Sequence, residues 1–336
     1  MNPQALKTFW QRPLQLLAAG AALALSLPAA AQDKMQLQLN WFHLADHSPI
    51  YLALKKGYYK EENIELTVLR GSGSADAAKK IDLGQADVGI SDAPTVLTAI
   101  SKGANLKMVA VVYDKAGNNV FFRKSANIKT PKDLVGKKIA VPPADSHRVL
   151  WPAFAAMNGI DPASVTLVNI KPEGKQAIVA ANEADGSFDL YTSYAIWEKV
   201  LGKGDVGHLL WADFGLPIYG HTYFVNNNLI QKNPKLIERF LRATHKGWRD
   251  AKADPKASIG AMVEMVPGLD GPTLLATMPQ ILDLCVTERS AKNGLGWIEP
   301  ELMQKTMDIT FANNKPEKAL AVNDVFTNQY NSKIKP

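Results

Sequence analysis

Cysteine is almost absent from this chain of 336 residues, Cys285 being the only one. One thiol cannot form an internal disulfide, so stability has to come from packing. Cys285 lies in "LDLCVTE", an apolar helical setting that predicts a buried, inert side chain. An excess of one charge is also missing. Lys and Arg number 38 against 32 Asp and Glu, a formal net charge of +6, and the basic residues are scattered. No basic stripe of the kind nucleic acid requires is present. Long apolar runs are missing too. The longest, Leu16–Leu27, spans twelve residues, short of the about 20 that a membrane-spanning helix needs. Lys7 and Arg12 precede it, and Pro28 and Ala29-Ala30-Ala31 follow. That order reads as a secretory signal peptide over residues 1–31, cleaved before Gln32. No cysteine follows for lipid attachment. The mature chain is therefore expected to be soluble outside the cytoplasm, most simply in a bacterial periplasm. Its net charge would be +4, from 36 basic against 32 acidic residues.

What is present is a regular alternation of strands and helices, and 46% hydrophobic residues, enough for a sizeable core and two lobes. "QLQLNWF" predicts a strand. Ser48-Pro49 predicts a helix start with Ser48 as its cap, and Gly57 a left-handed stop. "IELTVLRG", "ADVGISD", "LKMVAVVYD" and "NNVFFRK" read as strands, with helices over "SADAAKKIDLGQ" and "APTVLTAISKG". A second set follows: strands over "IAVPP", "VTLVNI", "FDLYTSY" and "GHLLWADF", helices over "SHRVLWPAFAAMNGI", "EGKQAIVAANEAD" and "AIWEKVLGKG". Such repeats imply α/β architecture with mainly parallel sheets flanked by helices, and ligands bound beyond the carboxyl ends of the strands. From Pro234 the pattern turns helical, beginning with a long amphipathic helix whose buried face is Ile237, Phe240, Leu241, Thr244 and Trp248. Neither low-complexity segments nor repeats of solenoid period occur.

"LNWFHLADHSPIYLALKKGYYKEENIEL" followed by "GQADVGISDAPTVL" resembles the periplasmic substrate-binding proteins of ABC importers, in the branch of sulfonate, nitrate and thiamine-pyrimidine-precursor binders. "TPKDLVGKKIAVP", "NGIDPASVTLVNI" and "NPKLIERFLRATHKGWRDAKADP" agree with it, so the likeness runs from about Gln36 to Ala312. The resemblance implies a two-lobed fold with two crossovers and the ligand in the cleft. Lobe one would be residues 32–124 and 217–312, lobe two 125–216, and 313–336 a C-terminal tail. Hinges would lie near Lys124-Ser125 and Leu216-Pro217. It implies a monomer that hands a small molecule to a membrane permease with its ATPase. The same resemblance extends to thiamine-pyrimidine synthases. Those carry a lysine for pyridoxal phosphate and a histidine four residues later, where this chain has Ser91 and Thr95. They also carry a cysteine-rich motif where this chain reads "GLPIYGH".

The candidate site residues follow from this map. The "NWFHLADH" loop would form the cleft's lip, with Trp41, His43, Asp46 and His47. His43, Asp46 and His47 are ligand types for a metal, but no sulfur ligand or H-E-x-x-H frame accompanies them, so no metal is expected. No nucleophile has a base nearby and no G-x-S-x-G elbow occurs, so neither catalysis nor a cofactor is expected. In "DSHRVLW", the free amides of Ser146, His147 and Arg148 would face the cleft at a helix start, with Arg148 suited to a carboxylate or sulfonate. The alternative is that Asp145 or Ser146 caps the helix and Arg148 is solvated. Trp41, Tyr191 and Tyr219 would make a slot for a flat ring, helped by Ser91, Asp92, Ser193 and His221. The expected ligand is a planar aromatic or heteroaromatic molecule, such as a thiamine pyrimidine precursor or an aromatic acid. Alternatives are an aliphatic sulfonate or other oxyanion, a pyrimidine-making enzyme, or a chemoreceptor-coupled sensor.

Overall fold

The computed structural model describes residues 32–312 and 315–336. The expected signal peptide, residues 1–31, lies outside the described residues. Ten strands occur in the order β1 (Asp33–Gln38), β2 (Ile64–Leu69), β3 (Val88–Asp92), β4 (Leu106–Val111), β5 (Asn118–Arg123), β6 (Lys138–Val141), β7 (Thr166–Asn169), β8 (Gly186–Leu190), β9 (Val206–Leu210) and β10 (His221–Asn226). The helices that matter for the cleft are α1 (Ser48–Lys55), α2 (Ser74–Asp82), α3 (Ala93–Ser101), α4 (His147–Met157), α5 (Lys175–Ala180), α6 (Tyr194–Leu201) and the long α7 (Pro234–Ala253).

The strands form two five-stranded sheets, ordered β2-β1-β3-β10-β4 and β7-β6-β8-β5-β9. Each holds one reversed strand. β10 runs antiparallel to β3 and β4, and β5 antiparallel to β8 and β9. Alternation along these strands fills both faces. Tyr223 and Val225 join one apolar cluster and Phe224 another; Val120 and Phe122 join a third and Phe121 a fourth. The expected face of α7 is buried, from Ile237 to Trp248, and Cys285 is buried in the same cluster.

Three boundaries differ from the sequence reading. β5 belongs to the second sheet rather than to lobe one. It pairs with β8 on one edge and β9 on the other, and Val120, Phe121 and Phe122 are buried on both its faces. In the first sheet the equivalent place is filled by β10. The chain therefore crosses between β4 and β5, at residues 112–117, ahead of Lys124-Ser125; it returns through residues 211–220, which contain Leu216-Pro217. Strand β1 stops at Gln38, which leaves Asn40 and Trp41 in a bend at its carboxyl end. Ser48 is the first residue of α1 rather than its cap, and its hydroxyl bonds the hydroxyl of Ser258 at 2.8 Å.

The C-terminal segment is no free tail. Phe326 forms a bridge with Met108 of β4, Leu295 N–H donates to the Ile334 carbonyl at 2.7 Å, and Val325 and Tyr330 are buried. Phe326, itself buried in the cluster behind β4, anchors this strap. Phe326→Ala is expected to lower the unfolding free energy by about 3 kcal/mol through lost burial and a cavity, read from urea titrations; a change within about 0.5 kcal/mol, typical of exposed positions, would make the strap peripheral.

Candidate functional site

The carboxyl ends of β1, β6 and β8 and the start of β10 meet at a narrow cleft whose free volume is about 30 Å³. The first sheet's side supplies Asn40, Trp41, Leu44, Asp46, Ser74 and His221; the second supplies Asp145, Ser146, His147, Lys175, Asp189 and Leu190. The two sides touch at the rim. Ala75 N–H donates to the Ala144 carbonyl at 3.4 Å. Gly73 has φ +152°, and a Cβ there would lie 2.7 Å from Ala144, so only glycine fits this approach. Arg70 and Glu173 pair at 3.5 Å on the outside.

The second wall is built around one buried amine. Lys175, the first residue of α5, puts Nζ 2.7 Å from Asp145 Oδ2 and 3.2 Å from Asp189 Oδ1. All three residues are less than a tenth exposed. Asp145 also accepts from His147 Nδ1 at 2.6 Å and from the His147 backbone N–H at 3.0 Å. Asp189, at the end of β8, accepts from Trp197 Nε1 at 3.0 Å and from Leu190 N–H at 3.0 Å. Burial would raise the Asp145 carboxyl, but Lys175 and His147 outweigh it and hold the group well below the usual carboxylate range. Burial pulls Lys175 down, and the two carboxylates more than reverse this, so the amine stays charged. Its Nζ lies 4.6 Å from the centre of the Trp41 ring on the opposite wall.

The first wall is a hydrogen-bonded chain that ends beside one carboxylate, Asp46. Leu44 N–H donates to His47 Nδ1 at 3.2 Å, so the proton of His47 sits on Nε2. That proton goes to Asn40 Oδ1 at 3.1 Å, and Asn40 Nδ2 donates to His221 Nε2 at 3.2 Å. His221 therefore carries its proton on Nδ1, 3.7 Å from Asp46 Oδ2. Tyr113 stacks on His221 with ring centres 4.5 Å apart. Burial lowers His47, with Asp46 only partly opposing it. Burial would raise Asp46, but His47 and His221 outweigh it and hold it well below the usual range.

Of the residues singled out from sequence, Trp41, Asp46, Ser146, His147 and His221 line the cleft, and His47 stands directly behind Asn40. The others do not. His43 packs edge-on against Tyr51 at 5.8 Å. Ser91 is fully buried with its hydroxyl toward the Ser74 carbonyl, and Asp92 caps α3 by accepting from Thr95 N–H at 3.0 Å. Tyr191 packs on His208 at 5.4 Å, and Ser193 precedes α6 as a buried cap position. Tyr219 is core: it is fully buried and its hydroxyl accepts from Glu299 N–H at 2.7 Å. Arg148 faces back into its own lobe. Its guanidinium donates to the carbonyls of Pro142 and Val141, at 2.9 and 2.8 Å, and to Asn169. A cation spent on backbone carbonyls is no anion clamp. Sequence reading missed Asn40, Leu44, Ser74, Asp145 as a lining residue, Lys175, Asp189 and Leu190. Asp189 in "FDL", at a strand's carboxyl end, carried the one signal that strand-end logic could have used.

Three carboxylates and one ammonium thus line the cleft, a net charge of two negatives. This arrangement favours ligands that donate hydrogen bonds and disfavours free oxyanions. Among the described residues, no group of three or more His, Cys, Asp or Glu is placed to hold a metal, and no helix is long and apolar enough to cross a membrane.

A family model described as NMT1/THI5 like matches residues 44–258. A 4-amino-5-hydroxymethyl-2-methylpyrimidine phosphate synthase of Legionella pneumophila is 24% identical over 250 residues, 73% of this chain and 77% of that protein. A formylaminopyrimidine-binding protein of Halalkalibacterium halodurans is 21% identical over 299 residues, 88% of this chain and 90% of that one. Among solved structures, the alkanesulfonate-binding protein SsuA of Xanthomonas axonopodis pv. citri, bound to MOPS, aligns with a TM-score of 0.68 at 17% identity, covering 89% of this chain and 99% of that chain. That likeness establishes the two-lobed α/β fold of periplasmic binding proteins.

The buried ion cluster makes stability depend on acid. In the unfolded chain Asp145 titrates near the ordinary value of about 4, whereas in the fold it titrates well below the usual range. Its contribution is complete above the unfolded value and is lost as pH falls through the folded one. Asp145→Asn is expected to cost about 3 kcal/mol or more at pH 7, because Lys175 keeps its charge with one partner fewer. The difference from the unsubstituted protein should shrink as pH falls from about 5 to 2 in denaturant melts. A difference constant over that range would mean that Asp145 is not ionised in the fold.

Proposed function

The chain belongs to the NMT1/THI5-like family, and from that premise we propose that it is the solute-binding component of an ABC importer, capturing a planar, hydrogen-bond-donating heteroaromatic molecule of the aminopyrimidine kind. The observation that carries this reading is the pairing of a partly buried Trp41 with acceptor groups on both walls, Asp46 on one and Asp145 and Asp189 on the other. A ring stacked on Trp41 would have its edge within reach of carboxylates, the partners that exocyclic amino groups need. The aminopyrimidine named for one relative has that chemistry. An aromatic acid, an aliphatic sulfonate or nitrate would meet a net negative lining without a free cation, since Lys175 is held by two aspartates and Arg148 by carbonyls.

A synthase activity is the second reading, raised by relatives named as synthases. The lysine nearest the cleft argues against it. A Schiff-base lysine must lose its proton to attack a carbonyl, and Lys175 is raised, not lowered, by its two aspartates. Ser91 and Thr95, at the positions where the sequence comparison expected lysine and histidine, are buried. Export through the expected leader, release to a permease and its ATPase, and action as a monomer complete the proposal; two lobes closing on a ligand suit that role.

A thermal-shift screen of aminopyrimidines, aromatic carboxylates, aliphatic sulfonates and nitrate tests the ligand class. Aminopyrimidines are expected to raise the melting temperature. Trp41→Ala should weaken the best of them about tenfold, by lost stacking and burial. Stabilisation by sulfonates or nitrate alone would remove the ring reading.

A further inference from the structure

We propose that Lys175 is the specificity-determining residue of the cleft, an internal cation that sets the charge of the ring the cleft accepts. This rests on the planar-ring reading above. Three observations support it. First, the ammonium lies 4.6 Å over the Trp41 ring, on the surface that a bound ring would share. Second, it is 2.7 Å from Asp145 and 3.2 Å from Asp189, so it uses the two strongest acceptors of its wall. Third, each carboxylate has hydrogen-bond donors of its own besides the amine. Asp145 keeps both donors of His147, and Asp189 keeps Trp197 Nε1–H and Leu190 N–H.

The consequence is a cleft that supplies its own cation. With Lys175 in place, a positively charged ring meets an ammonium at the aromatic face, and like charges in a buried setting repel strongly. A neutral ring with N–H donors can share the carboxylates without that conflict. Without the ammonium, Asp145 and Asp189 lose their shared cation, and burial favours a proton on one of them. The ligand itself then becomes the best counter-ion of the other, and the preference passes to cationic rings.

Benzamide, benzamidinium and benzoate, which share shape and differ in charge, are the probes. Calorimetry with each, on the mature full-length protein and on Lys175→Met, Lys175→Arg and Asp189→Asn, gives the ratio of cation to neutral binding. In Lys175→Met this ratio is expected to rise by about tenfold or more. Lys175→Arg, which keeps the charge, should return the original order. In Asp189→Asn, where Lys175 faces one carboxylate, preference should move toward benzoate; this variant decides the question if Lys175→Met does not fold. A purely structural lysine would weaken all three probes together. Ratios within about twofold of the unsubstituted protein in the folded variants overturn the inference while leaving the ring reading intact. Binding of none of the probes by any of the four proteins overturns the inference, while the ring reading stands or falls with the aminopyrimidine screen.

Discussion

The amine of Lys175 between Asp145 and Asp189 is the constraint on which the arrangement of the cleft depends. Three charged groups are taken out of water there, and each would cost several kcal/mol if left without partners. None is left so. The lysine has two carboxylates, and each carboxylate has at least two further donors from its own lobe. The three residues come from three places in the chain: the turn before α4, the first residue of α5 and the carboxyl end of β8. They meet because β6 lies between β7 and β8 in the second sheet, so the connections leaving those strands converge at one edge. Sheet order, not local propensity, assembles the site.

The opposite wall carries one charge, Asp46, and is otherwise built from neutral groups. A single backbone donor, Leu44 N–H, fixes the tautomer of His47, and the direction of every later hydrogen bond follows through Asn40 to His221. The chain ends with a proton on His221 directed toward Asp46. One wall is therefore a compensated ion cluster and the other an oriented dipolar chain with a single carboxylate. Between them, Trp41 is the large apolar surface. Such a pocket discriminates by hydrogen-bond polarity and charge more than by volume.

Much of the fold was legible because it is periodic. Alternating strands and helices placed nine of the strands and the long helix α7, with its buried face correct residue by residue. The sheet to which β5 belongs was not legible. Its apolar run is the same in either lobe, and only its pairing with β8 and β9 decides. The site was half legible. The "NWFHLADH" loop announced Trp41, Asp46 and His47 through residue type and strand-end position. Lys175, in "EGKQAIVA", reads as an ordinary surface lysine at a helix start, since nothing local reveals that two aspartates 30 and 14 residues away enclose it. Arg148 misled for the converse reason. A cation at a helix start invites an anion, but the carbonyls of its own strand end lay closer. Tyr219 and Tyr191 show the same ambiguity: aromatic residues near strand ends are packed against the fold unless a cavity opens beside them.

The two walls also bear on why one scaffold serves different chemistries. A binding protein and a lysine-dependent enzyme can share a scaffold and differ in where a lysine stands and in what surrounds it. An amine that must form a covalent bond has to be buried without a carboxylate, so that desolvation lowers its proton affinity. An amine that must organise a binding wall needs the opposite, and here two aspartates at 2.7 and 3.2 Å provide it. The same two residues fix the orientation of the amine. Charge pairing within the second lobe is thus a structural necessity and, on the proposed reading, also a filter on what is bound.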